Sequence, residues 1–439
     1  MSRQASSHWA ALPADLHLAT QRLLDLRDRC HARAVCRGWR DAAAALPELW
    51  REIERRKPVL EGKPASEARL LSFLARGLPL LCRLGLEQLS VCAIYTWEEA
   101  ADEAEEGEEE EQAEEIAAVI RNPATWRQLA SALMASGPSL KALRLRLPGV
   151  PPDCAWVVQL SRLESLELAF PSVPLSPLMQ AAAQLTRLTT FSLEVNFDME
   201  AHHLLREPDP ADPSARTAFL QSSDPLPPNL RRLSLRRCCR GHALPAQLTA
   251  LAALTRLHLL DNSLGEFFQP DVEFQFPPLP QVLALDISES FYPDLPTSLS
   301  RFAGLTELRV EGDLKDVQAI ALLPRLERLH LYQHKLHPPP LTLGPLTTLR
   351  HLDTSESRGF LTLTPDLPIL GHLTCLEASM QSCQDALPQL LQQCTALRRL
   401  RLADDGRRLS REKRAAARAA LAQLLAANPG LEVEAPFVV

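Results

Sequence analysis

The chain has 439 residues, 46% of them hydrophobic but only 5% aromatic, with 36 prolines against 16 glycines and a formal net charge of −7. That apolar content belongs to a folded chain, and no run approaches the roughly 18 uninterrupted apolar residues of a membrane span. The charge is local: Glu98–Glu115 holds twelve acidic residues and no basic one, so the other 42 acidic residues face 47 Lys and Arg and leave a mildly basic body.

The ten cysteines are scattered without a Cys-x-x-Cys, and Cys238 and Cys239 are adjacent. This pattern predicts reduced thiols instead of a disulfide framework. The opening MSRQASSHWAALPADL has no apolar leader core. We expect a protein of the cytoplasm and/or nucleus, not secreted and not membrane-bound.

Residues 9–53 form the first predicted unit, a small all-α segment. Pro13 after Leu12 suits a helix start, because its fixed φ matches the first helical position. Leu16, Leu23 and Leu24 mark an apolar stripe, and Val35, Cys36 and Trp39 mark a second. The unit is too short to fold well without a partner, and its surplus apolar surface calls for a docking site. Leu12-Pro13 with Leu16, the Leu26-Arg27-Asp28 turn, Val35-Cys36-Arg37-Gly38-Trp39-Arg40 and Pro47-x-Leu49-Trp50 together resemble the F-box family. The resemblance implies binding to a Skp-family adaptor and, through it, a cullin, with Leu12, Pro13, Leu16, Val35, Cys36 and Trp39 at or under that interface. The reading from the residues alone also allows a helical cap on whatever follows.

Residues 54–65 are polar with two prolines and read as a linker. Ser66 can cap a helix presenting Leu70, Leu71 and Leu74, and a first strand is predicted over Leu86–Val91. The acidic run 98–115 reads as a solvated insertion. Helical pattern returns over Pro123–Ser136, with Trp126, Leu129, Leu133 and Met134 packing inward.

From there a single pattern governs the chain. Leu254, Leu257, Leu259, Asn262 and Leu264 keep the spacing L-x-x-L-x-L-x-x-N-x-L of a leucine-rich repeat. Two leucines of a short strand point to one side, flanking leucines close the same core, and the asparagine can bond backbone groups where the chain turns. First positions recur at Leu86, Leu140, Leu163, Leu188, Leu230, Leu254, Val282, Leu305, Leu326, Leu349, Leu373 and Leu397. From Leu140 onward the steps are 21 to 28 residues, except one of 42 that contains a proline-rich insertion, 199–228. Arg237, Ser290, Asp313, His334 and Ser357 are read at the asparagine position of other repeats. Residues 410–439 break the rhythm: Ser410 caps an alanine-rich helix with Leu421, Leu424 and Leu425 inward and Arg418 outward. Asn428-Pro429-Gly430 stops this C-terminal cap.

The predicted fold is therefore α/β: a leucine-rich-repeat solenoid over 66–439, with parallel strands on its concave face and short helices or irregular segments behind. The small F-box-like segment precedes it.

No nucleophile elbow, phosphate loop, dinucleotide fingerprint or metalloprotease motif occurs, so we expect a binder and not an enzyme. No cofactor or metal is expected: His202-His203 lacks a second ligand cluster, and His330, His334 and His337 do not share a helical face. In each repeat the residue between the last two leucines points away from the core. These residues and their same-face neighbours predict a protein-substrate surface at Arg232, Arg236, Arg256, His258, Arg309, Arg328, His330, Tyr332, His351 and Asp353. Its mixed charge suits a polypeptide and not nucleic acid. Combined with the resemblance, this implies the substrate-recognition subunit of a Skp–cullin–F-box ubiquitin ligase. A leucine-rich-repeat interaction scaffold, for example cytoskeletal, is the alternative.

Overall fold

The computed structural model describes residues 52–55, 88–92, 123–137, 139–146, 154–170, 175–195, 220, 223–241, 244–264, 274–288, 290, 295–312, 318–333, 346–355, 368–379, 393–403 and 411–434. Two compact units divide the chain, one of residues 1–218 with 226–228 and the other of residues 219–225 with 229–439.

In the first unit five strands pair in parallel and in chain order: β1 (Glu52–Arg55), β2 (Gln88–Cys92), β3 (Ala142–Arg146), β4 (Ser165–Phe170) and β5 (Thr190–Val195). Leu89, Leu143, Leu166 and Phe191 fall opposite one another, and all four are buried. Helices α1 (Pro123–Ser136), α2 (Ala155–Val158) and α3 (Leu175–Ala182) connect the strands. They add Leu129, Leu133, Trp156, Val157, Leu178 and Met179 to the core. The predicted helix 123–136 is present with those bounds, but Met134 is 41% exposed. It immediately follows the buried Leu133, and successive helical residues point about 100° apart. Residues 54 and 55, read as linker, instead complete β1, because their backbone finds a partner in β2.

The second unit repeats the plan with β6 (Arg232–Arg236), β8 (Arg256–Leu260), β10 (Ala284–Asp286), β11 (Glu307–Gly312) and β12 (Arg328–Gln333). It continues with β13 (His351–Thr354), β14 (Cys375–Ser379), β15 (Arg399–Ala403) and β16 (Glu432–Glu434). All neighbours are parallel. A separate short pair, β7 (Arg240–Gly241) with β9 (Ser263–Leu264), lies beyond β6 and β8. Leu233, Leu257, Leu285, Leu308, Leu329, Leu352, Leu376 and Leu400 form one buried row across the sheet.

Behind the strands the connections carry 3₁₀ turns, at Ala246–Ala250, Thr297–Arg301, Gln318–Leu322 and Pro368–His372. A 3₁₀ turn rises about 2.0 Å per residue against about 1.5 Å for an α-helix, so it returns a short repeat with fewer residues. Pro245 and Pro296 stand immediately before two of these turns. Phe276 packs edge-on between Phe274 and Phe302, at 5.0 Å to each.

A further motif recurs where strands begin. Thr255, Thr306 and Thr374, each following the first leucine of a repeat, donate hydroxyl hydrogen bonds to Arg231, Leu283 and Arg350 carbonyls one repeat earlier. Each carbonyl also accepts two backbone N–H groups, so adjacent repeats are tied at the strand entrance.

The C-terminal helix α4 (Arg411–Ala427) buries Leu421 and Leu424 and exposes Arg418, as expected; Leu425 is only partly covered. The segment after it is more than a cap. The chain turns at Asn428 and adds β16 to the sheet, with Leu400 opposite Val433. Strand register, buried leucine rows and return turns together make the described residues a leucine-rich-repeat array.

Candidate functional site: the polar face of the second unit

Alternation along each strand places two polar rows on the face opposite the leucines. The first runs Ser234, His258, Asp286, Arg309, His330 and Asp353, and continues through Glu377, Arg401 and Glu434. These residues, drawn from nine strands, lie side by side in register. The second, at the strand entrances, includes Arg232, Arg256, Glu307, Arg328, His351 and Cys375, then Arg399 and Glu432. In the first unit Ser90, Arg144, Glu167 and Ser192 align in the same way, with Arg144 and Glu167 at 2.9 Å.

The structure thus brings the ten predicted surface residues onto one face, in differing states. Arg232 and Arg256 are exposed neighbours. Arg236 stands 4.0 Å from Asp261, which also pairs with Arg237. Arg328 donates to Glu307 at 2.7 Å. Burial opposes ionisation of Glu307, but Arg328 outweighs it and holds the carboxyl below its ordinary range. Asp286 lies between His258 at 3.6 Å and Arg309 at 4.0 Å, and accepts the Ser288 hydroxyl at 2.7 Å.

Asp353 is held by three neighbouring residues. Its Oδ2 accepts the Tyr332 hydroxyl at 2.6 Å and lies 3.1 Å from His330 Nδ1. Its Oδ1 accepts the Ser355 hydroxyl at 2.7 Å and backbone N–H at 3.0 Å. Burial alone would raise its pKa; these hydrogen bonds overcome that and hold the carboxyl far below its usual range. Tyr332 and Asp353 are only 5% and 6% exposed, so these two expected contact residues stiffen the surface more than they project from it. Arg309 covers the Tyr332 ring, its guanidinium carbon 5.1 Å from the centroid.

Beside this knot stands a group drawn from two adjacent repeats, which no single motif of the sequence contains. His351 has its ring centroid 5.1 Å from that of His330 and its Nε2 3.7 Å from Glu377 Oε1. Cys375 Sγ is 4.0 Å from the same oxygen, and Arg401 holds the other Glu377 oxygen at 3.2 Å. Burial, then the nearby His330, lowers the His351 pKa against the pull of Glu377 and Asp353. Burial, then Glu377, pushes the Cys375 thiol up to about 11. A cavity of about 600 Å³ opens beside His351, Cys375, Arg399 and Glu432. The signal in the sequence was the 24-residue step from His351 to Cys375, one repeat, which puts them opposite each other.

Arg237, read at the asparagine position, is a correction. Cys238 occupies it, while Arg237 and Asp261 are the two preceding residues and share left-handed φ values of 55° and 51°. Leu12, Pro13, Leu16, Val35, Cys36 and Trp39, which the F-box resemblance implies at an adaptor interface, lie outside the described residues, as do His202, His203, His334 and His337.

Residues 9–56 match the F-box-like family. No curated protein sequence matches the chain. Among solved structures the chain is similar to an internalin from Listeria monocytogenes, with TM-score 0.41 and 15% identity over 72% of this chain and 92% of that one. It is also similar to a leucine-rich-repeat protein of Leptospira interrogans, with TM-score 0.35 and 17% identity over 69% of this chain and 80% of that one. An F-box-like segment followed by a leucine-rich array supports a protein-interaction role.

Proposed function

We propose that this chain is the substrate-recognition subunit of a Skp–cullin–F-box type ubiquitin ligase. The observation that carries the reading is the order of its parts: an F-box-like match over residues 9–56, then parallel repeats whose polar rows lie in register. The N-terminal segment docks on the Skp adaptor through Leu12, Pro13, Leu16, Val35, Cys36 and Trp39. The face of the second unit holds a protein substrate. The chain catalyses nothing itself. It raises the effective concentration of substrate lysines near a ubiquitin thioester carried by other subunits, turning a bimolecular encounter into a local one. Such a subunit works in the cytoplasm and/or nucleus.

The charge order on the face suggests how a substrate is read. Arg232 and Arg256 are adjacent and exposed, so an acidic segment gains most over β6 and β8. Farther along, arginines alternate with carboxylates that already neutralise them, and recognition there relies on shape and individual hydrogen bonds.

A second reading, an interaction scaffold without a ligase role, draws on Thr20-Gln21, where the F-box pattern has two large apolar residues in the first helix. One experiment separates them: the purified full chain is mixed with a Skp adaptor, beside a Leu12→Ala/Pro13→Ala/Trp39→Ala variant. A stable complex by size exclusion, lost in the variant, supports the ligase reading. No complex from a folded wild-type chain overturns it in favour of the scaffold.

A further inference from the structure

His351 and Cys375 face each other across β13 and β14, and Glu377 lies two residues along β14 on the same face. One donor atom from each of the three lies within 4.8 Å of the other two, and Glu377 Oε1 stands 3.7 Å from His351 Nε2 and 4.0 Å from Cys375 Sγ. His351 Nε2 is buried without a hydrogen-bond partner, although the imidazole is surrounded by polar groups. An unpaired buried nitrogen is costly unless it has a further role. We propose that His351, Cys375 and Glu377 bind a zinc ion, leaving a fourth position for water or a donor from a bound ligand beside the adjoining cavity.

The chemistry of the three donors fits this ion. Imidazole, thiolate and carboxylate are the zinc ligand types, and three protein ligands with one open position is the arrangement of accessible zinc sites. Tetrahedral zinc with bonds of about 2.0–2.3 Å sets its donors roughly 3.4–3.7 Å apart. Here Nε2 and Oε1 are 3.7 Å apart, and Sγ and Oε1 are 4.0 Å apart, so small side-chain rotations close the site while both strands stay in place. The thiolate and carboxylate charges match those of the divalent ion, and binding releases the Cys375 thiol proton to solvent. Arg401 holds the non-ligating oxygen of Glu377, aiming Oε1 at the site. Arg399, the neighbour of Cys375 on β15, has its charge met by Glu432 at 3.0 Å.

A neighbouring set, His330, His351 and Asp353, also has its donor atoms within 4.8 Å of one another. Both oxygens of Asp353 are already engaged by Tyr332, His330 and Ser355. That set braces the site and is a poorer ligand group than the one containing Cys375.

The test uses the full-length, reduced protein. Titration with Co²⁺, a spectroscopic substitute, is expected to give one tetrahedral site per chain with thiolate-to-cobalt charge-transfer absorption that Zn²⁺ displaces. Cys375→Ser abolishes that absorption, His351→Ala weakens Zn²⁺ affinity at least tenfold, and the buried Cys394→Ser changes neither. A readout that needs no variant is alkylation mapped by mass spectrometry, in which Zn²⁺ slows modification of Cys375 at least tenfold. Charge-transfer absorption that survives in a folded Cys375→Ser variant, or Cys375 alkylation indifferent to Zn²⁺, overturns the proposal. Because adaptor binding is not measured, its outcome is independent of the ligase reading.

Discussion

Asn262 reaches back one repeat to Cys238. Its Oδ1 accepts the backbone N–H groups of Cys238 and Cys239, each at 2.9 Å, and its Nδ2 donates to the Leu235 carbonyl at 2.8 Å. The side chain is 1% exposed, so these backbone groups have little access to water as a substitute. Ser290 continues the ladder with a shorter reach, donating to the Leu259 carbonyl and accepting from the Asn262 N–H at 3.1 Å.

Asn262→Ala removes these three hydrogen bonds to buried backbone groups, and a loss of about 2–4 kcal/mol is expected. In urea unfolding the midpoint should fall while the slope stays constant. A shift below about 0.5 kcal/mol would mean that water replaces the side chain.

The carboxylate of Asp286 predicts a pH-dependent loss. Burial disfavours its charge, but the His258 imidazole 3.6 Å away and the hydrogen bonds from Ser288 more than compensate, so its folded pKa lies below the ordinary value. A depressed carboxylate pKa contributes stability above the unfolded value of about 3.9, and that contribution disappears as pH falls through the folded value. Wild type should exceed Asp286→Asn by about 1–2 kcal/mol at pH 7, the gap narrowing steadily below about pH 4. Urea titrations across that range decide it; a gap constant with pH contradicts the assignment.

Gly304 and Gly430 should respond oppositely to alanine. A Cβ on Gly304 would lie 2.2 Å from the Pro280 carbonyl oxygen, so backbone must move, whereas nothing approaches within 4 Å at Gly430. We expect Gly304→Ala to lose about 2–3 kcal/mol and Gly430→Ala to stay within about 0.5 kcal/mol of wild type. Thermal denaturation of both variants side by side reads the difference.

Phe276 is the centre of an aromatic trio, fully buried and edge-on to both Phe274 and Phe302. Phe276→Ala should cost about 3–5 kcal/mol through lost burial and the cavity left behind, and Phe276→Leu distinctly less. Equal losses for the two would point to backbone rearrangement instead of a cavity.

The leucine rows were legible because strand alternation and a step near 24 residues are both local regularities of the chain. The helix at 123–136 and the stop at Asn428-Pro429-Gly430 were legible for the same reason, since helix periodicity and proline sterics act within a few residues. The Thr255, Thr306 and Thr374 ties were written in the sequence too, as threonines following first leucines. Their meaning appears only once the carbonyl of the previous repeat is seen beside them. β16 has no local signature because three residues carry too little period, and its existence depends on pairing with β15.

A repeating strand, its buried side and the residues on its polar face all follow from alternation along one chain. How those polar residues share protons and charge depends on the folded arrangement. Asp353 gathers Tyr332, His330 and Ser355, Glu377 is divided between Arg401 and the His351–Cys375 pair, and Arg309 lies over Tyr332. Those relationships run across strands, between residues one repeat apart in sequence and a few ångströms apart in space. Parallel pairing sets the register that joins them, and no local pattern encodes the side-chain distances that result.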